Sequence, residues 1–500
     1  MDSLFEKFKK RINEISDLNQ ANALLGWDQQ VNMPPGGAEG RCYTMQTLQE
    51  LIHEMVVSPE TGQMLEDLKG YEKTLDPDSD DARLIKVARR EYLKQTKVTT
   101  KWVGEYAMAT TLGQTNWEQA KATNDFKKFL PYLEKIVELK RQYAEFFKPY
   151  DHVYDPLLDD FEPGMKTADV KAIFSTLRPK QVELIKAIRE RPAIDNHFLH
   201  VNYAEKDQWD FGVEVIKKLG FDFTKGRQDK SVHPFTQGFN IGDARITTRI
   251  DPNYIGTGLF GTMHEAGHAM YEQGYSPALA RTPLSNGASF AFHESQSRMW
   301  ENLVGRSMAF WKFFYPKFQE RFKTQVGNVD LQTFYKGINK VEPSLIRVEA
   351  DEATYNLHIM LRLEIEIEFI EGSLQAKDLP EAWNARIKEY LGLTPPSDAK
   401  GVLQDVHWSS GYIGYFPTYS LGNLLSVQLW EKLNSEIPDL EQQIEKGEFG
   451  ALLSWLRSHV HVHGAKFEPQ ELIKKITGSP MDPQPYIRYL ENKFKAIYGI

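Results

Sequence analysis

A single cysteine, Cys42, stands among 500 residues, so no disulfide can close within the chain and a disulfide-stapled secreted fold is excluded. Long apolar runs are missing as well. Nothing approaches the roughly 20 consecutive apolar residues that a spanning helix requires. The stretch Met1-Asp2-Ser3-Leu4-Phe5-Glu6-Lys7-Phe8 also lacks the charged-then-apolar pattern of a secretory signal. These absences predict a cytoplasmic protein that does not cross a membrane. There is no basic excess either, with 60 Lys and Arg against 69 Asp and Glu and a formal net charge of −9. The footprint that nucleic acid or an anionic membrane surface would need is therefore lacking. No internal repeat or low-complexity tract interrupts the chain. Its turn-rich connections, Asp76 to Asp80 and Leu393 to Ser397, are too short for interdomain linkers. What remains, 41% hydrophobic and 12% aromatic residues, is the composition of a folded globular protein.

The apolar positions recur mostly at helical spacing. Leu4, Phe5, Phe8, Ile12, Ile15 and Leu18 follow three- and four-residue steps, which predicts an amphipathic helix ending at the Met33-Pro34-Pro35-Gly36-Gly37 break. The same periodicity predicts helices near 39–71, 79–123, 126–148, 167–190, 206–219, 307–325, 342–371, 379–392 and 418–433. Strands are expected at Asn202–Tyr203 and between Ser231 and Ile250, where Ile246, Thr248 and Ile250 alternate with Thr247 and Arg249. The fold class is mainly α, with one small sheet. The simplest organisation is a single catalytic domain over residues 1–500, in two lobes around a groove.

Chemistry concentrates at His264-Glu265-Ala266-Gly267-His268. On a helix, residues four apart differ by about 40° of rotation, so both imidazoles project from one face toward a shared ion. Zinc suits that donor set, although nitrogen and oxygen sites accept other divalent ions and cobalt is a plausible substitute. Glu265 is offset by one position. It can reach a water in an open coordination position without displacing a histidine, which is the place of a general base. A core reading, in which the histidines only pack, does not explain a glutamate bracketed by two of them.

A catalytic zinc usually takes three protein ligands, and the next acidic helical segment runs from Ala291 to Glu301. Glu294 is the favoured third ligand. Glu301, two turns further along nearly the same face, is its competitor, with a solvated or salt-bridged glutamate as the plainer reading. His293 is adjacent but points about 100° away from Glu294.

These residues also carry a resemblance that extends over most of the chain. Trp27-Asp28-Gln29, Met33-Pro34-Pro35-Gly36-Gly37-Ala38, His233-Pro234-Phe235, Asp243-Ala244-Arg245-Ile246-Thr247, the HEAGH segment, His293-Glu294-Ser295, Ile346 to Asp351 and Gly401 to Trp408 resemble, in order, the segments of the carboxypeptidase Taq (M32) metallocarboxypeptidases. The resemblance implies a helical, saddle-like metallopeptidase fold with a long substrate groove, and a homodimer. It also implies zinc ligands at His264, His268 and Glu294, and peptides with a free C-terminus as substrates.

Further roles follow from the chemistry of such a reaction. The tetrahedral intermediate needs donors beside the metal, and the segment His407 to Phe416 offers an imidazole and two phenols. His407 and Tyr415 are preferred, with Tyr412 as alternative and core packing as the plain reading. A C-terminal carboxylate is best held by arginine, whose planar fork binds both oxygens. The candidates are Arg347, whose segment lies in one of the matching motifs, and Arg245. Arg347 could instead brace Asp351 one helical turn along, and Arg245 could merely support its strand. The strand from Asp243 to Ile250 could also lend an edge to an extended substrate. Two other functions share these features: a zinc endopeptidase or oligopeptidase, and a peptide-binding protein with a structural zinc. The second fits poorly with a glutamate beside an open coordination position.

Overall fold

The computed structural model describes residues 2–500. The first helix, α1 (Asp2–Val31), buries Phe5, Phe8, Ile12 and Ile15, the stripe its periodicity implies. That stripe packs against Ile52, Leu65, Leu84 and Ile85 of the following helices and forms a small apolar cluster of its own. From Trp102 onward most buried apolar side chains form one continuous core, while Leu279 and Leu284 join the cluster of α1. Among the described residues, no helix is long and apolar enough to cross a membrane.

Most expected helices are present, and the departures have local causes. The stretch 39–71 is three helices, because Ser58 caps a new start at Pro59, its hydroxyl accepting from Thr61 N at 3.1 Å. The stretch 79–123 breaks at Thr99, which caps Trp102 in the same way. Of 342–371 only Tyr355–Glu371, helix α4 of the site, is α-helical. Asp351 turns its carboxylate onto the Ala353 and Thr354 amides at 2.9 and 3.0 Å and so marks a start rather than a middle. Arg347 consequently lies on a short 3-10 turn, Arg347–Glu349. Asn202–Tyr203 is not a strand: the Tyr203 amide donates to the Pro252 carbonyl at 2.7 Å and the side chain is buried.

The sheet has three strands, β1 (Gln228–Lys230), β2 (Thr236–Asn240) and β3 (Asp243–Thr248), in the order β1-β3-β2. β3 runs parallel to β1 and antiparallel to β2. Being central, it buries Ile246, Thr247 and Thr248 alike, so the expected alternation is lost. Its position also corrects the expectation of a free edge on β3, since both of its edges are paired. The outer edges belong to β1 and β2.

After β3 the chain enters α2 (Ile255–Glu272), which carries the HEAGH segment. Helix α3 (Phe290–Arg298) continues as a π-helical stretch over Met299–Val304. α5 (Pro417–Glu436) packs against α3. Two glycines permit the close approach of these three helices. A Cβ on Gly267 would lie 2.7 Å from Ser297 Cα, and one on Gly422 would lie 2.5 Å from Glu294 Cβ. The glycine of HEAGH is thus explained by packing, because it lets α2 sit on the backbone of the helix bearing Glu294.

Candidate active site

α2 presents His264 and His268 on one face, and α3 brings Glu294 to them. The Nε2 atoms of the two imidazoles lie 3.6 and 3.5 Å from Glu294 Oε2. Among the described residues these three form the group whose ligand atoms gather closely enough to hold a metal ion, all within 4.8 Å of one another. Separations near 3.5 Å exceed a hydrogen bond. They match the edge of a tetrahedron whose ligands stand about 2.0–2.2 Å from its centre. The donor set therefore fits a divalent metal.

The other ring nitrogens are already engaged. His264 Nδ1 bonds Glu301 at 2.8 Å, so Glu301 lies behind the histidine and not among the converging atoms. His268 Nδ1 bonds His293 Nδ1 at 2.8 Å, and His293 Nε2 stands 3.2 Å from Glu272. Each imidazole is thus fixed with Nε2 inward, the outer-shell arrangement that orients metal-binding histidines.

Arg298, unremarked in the sequence, donates to Glu294 Oε1 at 2.6 Å and to Glu301 at 3.1 Å. Its signal was the i, i+4 and i, i+3 spacing to two acids. Burial alone would raise the Glu294 carboxyl, but Arg298 and His264 hold it far below the usual range. Burial lowers His268 to about 3, keeping it in the neutral form that ligates. His264 is raised despite its burial, because Glu294 and Glu301 flank it. Such a field favours a cation.

Glu265 is buried beside this group, and burial pushes its carboxyl up. Thr236 of β2 donates its hydroxyl to Glu265 Oε2 at 2.7 Å. This tie between the sheet edge and the glutamate had no sequence signal.

Beyond Arg298 lies a second charged cluster. The Arg298 guanidinium sits 4.6 Å from the centre of the Tyr355 ring, and the Tyr355 hydroxyl accepts from Arg347 Nη1 at 2.9 Å. Arg347 donates from Nε and Nη2 to Asp405 Oδ1 at 3.0 and 2.9 Å, and the fully buried Arg362 donates from Nε to Asp405 Oδ2 at 2.9 Å. The partner of Arg347 is therefore Asp405, not Asp351. Burial lowers His407 to about 3, helped by Arg347. His407 Nε2 is 3.3 Å from the Tyr419 hydroxyl, and its ring lies 5.5 Å from Tyr415. Tyr419, four residues beyond Tyr415 and 5.2 Å from it ring to ring, was missed, since Tyr415 lies before the helix that begins at Pro417 and helical spacing does not relate the two. Burial raises the Tyr415 phenol, and the charge of Glu294 adds to the shift. Tyr412 is half-exposed at the rim.

Arg245 lies elsewhere. It pairs across the strands with Gln237, whereas Thr236, which faces Glu265, pairs with Ile246. Successive strand residues face opposite ways, so Arg245 is on the far face of the sheet. There it grips Asp243 through two 2.8 Å bonds and lies 4.4 Å from the centre of the Trp27 ring of α1.

Comparison with known proteins agrees with this geometry. The family model described as carboxypeptidase Taq (M32) metallopeptidase matches residues 7–494. The thermostable carboxypeptidase 1 of Thermus thermophilus is 40% identical, with 97% of each chain covered. Carboxypeptidase 1 of Bacillus subtilis is 38% identical, covering 99% of this chain and 98% of its own. The crystal structure of the M32 carboxypeptidase from Deinococcus radiodurans superimposes with a TM-score of 0.97 at 38% identity, over 100% of both chains. The chain belongs to the carboxypeptidase Taq (M32) metallopeptidase family.

Proposed function

We propose that this protein is a zinc-dependent carboxypeptidase that removes residues one at a time from the free C-terminus of peptides, its 500 residues acting as one catalytic unit. The observation that carries the reading is the convergence of His264 Nε2, His268 Nε2 and Glu294 Oε2 beside the Glu265 carboxylate. His264, His268 and Glu294 would hold the metal, with cobalt able to replace zinc. Bound there, a divalent ion would supply acidification of a water and polarisation of the scissile carbonyl.

The remaining work falls to the chain. Glu265, steadied by Thr236, takes a proton from the attacking water and returns one to the leaving amine. Tyr415 and His407 donate to the oxygen that gains charge, with the Tyr419 hydroxyl 3.3 Å from His407 Nε2 beside them. Arg347 binds the C-terminal carboxylate. Two guanidinium groups share the single carboxylate of Asp405, which leaves a positive excess for an anion to neutralise. Arg245, committed to Asp243 and Trp27, would serve the substrate only by supporting the sheet behind Glu265.

The test is mass spectrometry of one N-blocked peptide and its C-terminally amidated twin, digested with and without added zinc. Stepwise loss of C-terminal residues from the free acid alone, dependent on metal, is the expected result. Internal fragments from both peptides would replace this reading with that of an oligopeptidase. We assign the enzyme to the cytoplasm as a homodimer, which light scattering and cell fractionation would check.

A further inference from the structure

Four aromatic rings gather one helical turn from Glu294. Phe290 opens α3 four residues before that glutamate and so shares its helix face. Its ring centre lies 5.8 Å from Phe161 and 5.3 Å from Tyr415. Phe161 is 5.2 Å from Tyr415 and 6.3 Å from Tyr412, and Tyr412 is 5.8 Å from Tyr415. The backbone fixes this group to α3, because the Phe290 amide donates to the Phe161 carbonyl at 3.2 Å. Yet Phe290 is 48% and Tyr412 50% exposed. Clustered exposed aromatics beside a reactive centre mark a binding surface rather than a core.

Their order along the site identifies the occupant. Arg347 lies 5.0 Å from the Tyr419 ring, Tyr419 lies 5.2 Å from Tyr415, and Tyr415 touches Phe161 and Phe290. Arg347 and the aromatic group therefore stand at opposite ends of the Tyr419–Tyr415 pair. A peptide whose carboxylate is at Arg347 must run back past the metal-binding group toward the aromatics. The scissile bond has to sit at the metal-binding group, and Phe290 lies one turn from Glu294, so the residue next to the last is the first on the aromatic side of that bond.

We propose that Phe161, Phe290 and Tyr412 form a subsite for a large apolar or aromatic side chain on the residue immediately N-terminal to the one released. The inference rests on the carboxypeptidase reading above. No charged group of the protein takes part in these ring contacts, so an acidic side chain gains nothing there, whereas an apolar one loses water.

The experiment compares kcat/KM for N-blocked peptides of one length and one C-terminal residue, with Phe, Leu, Ala or Glu at the penultimate position. The enzymes are the zinc-loaded parent, Phe290→Ala, Phe290→Leu and Tyr412→Ala. The parent should favour Phe and Leu over Ala and Glu by about tenfold or more, the range that hydrophobic pockets achieve. Phe290→Ala should bring the Phe-to-Ala ratio close to one, and Phe290→Leu should restore most of it. Metal content and melting temperature, measured alongside, should stay at parental values, which a general structural fault would not allow. A parent that releases C-terminal residues without this preference, or a preference untouched in both Phe290→Ala and Tyr412→Ala, overturns the subsite alone. A parent that releases no C-terminal residue from any of the peptides overturns the carboxypeptidase reading and this inference with it.

Discussion

Two buried charge clusters stand on either side of Tyr355, and they are opposite in sign. On one side three carboxylates, Glu265, Glu294 and Glu301, surround two imidazoles, with Arg298 bonded to two of the three. On the other, Arg347 and Arg362 share Asp405. Burial of unbalanced charge is costly unless a partner arrives. The first cluster is short of a cation and the second is short of an anion. The difference is the one the proposed function uses, with an ion at one pole and the substrate carboxylate at the other. The hydroxyl and ring face of one tyrosine separate the two poles.

The strongest way to break the negative pole is Glu265→Gln. The amide fills the same space but cannot take a proton, so kcat/KM should fall by about 100- to 10,000-fold while zinc, measured by elemental analysis, stays bound. Retained turnover would remove Glu265 from the chemistry, and lost zinc would make it a ligand. Glu294→Ala should lose metal and activity together.

Breaking the positive pole costs less. Arg347→Ala should lower kcat/KM for free-acid peptides by about 2–4 kcal/mol, mostly through KM, as expected for a buried charge-assisted contact. Arg245→Ala should leave it within about threefold of the parent, since that guanidinium turns away from Glu265. Equal losses in the two variants would erase the distinction between a pole and a brace.

Glu301→Gln and His293→Gln sharpen the comparison from behind. Glu301→Gln removes the charge that faces His264 Nδ1 and His293→Gln the ring that faces His268 Nδ1, and each should weaken zinc about 10- to 100-fold in a chelator competition, while full stoichiometry returns at saturating metal. A fall in stoichiometry at saturation for Glu301→Gln would return it to the ligand set.

The negative pole was far more legible in the sequence than the positive one, and the reason is distance along the chain. His264, Glu265 and His268 lie within five residues of one helix, where 3.6-residue periodicity dictates direction. Glu294 and Glu301 could be ranked but not given separate duties, because the π-helical stretch Met299–Val304 alters the register in which a seven-residue spacing would repeat. Arg347 meets Asp405 across 58 residues, and no local spacing encodes that pair. The near neighbour Asp351 looked like its partner but serves as a helix start. The small sheet was legible, but its free edge was misplaced for the same reason, since the alternation in β3 says nothing of which strands flank it.

The smallest expected effect comes from Glu162, a buried carboxylate beside Ala291 of α3 that has no cation at all. It accepts from the Ala291 amide at 2.6 Å, its second oxygen has no partner, and burial raises it from 4.5 to about 8, only partly offset by Ala291 and Ser289. The folded state therefore keeps a proton that the unfolded chain gives up near its ordinary value. The stabilisation is complete below about pH 4.5 and is lost as pH rises toward about 8. Glu162→Gln keeps an oxygen for the Ala291 amide and never carries the charge. It should thus match the parent near pH 5 and exceed it above pH 8, by about 1–4 °C in Tm for a chain of this size. Because Glu162 docks the start of the helix bearing Glu294, zinc affinity should be unchanged by the substitution at pH 6. A Tm difference between the two proteins that does not vary with pH would mean that Glu162 is already charged in the fold. The contrast between compensated poles and an uncompensated neighbour would then have to be redrawn.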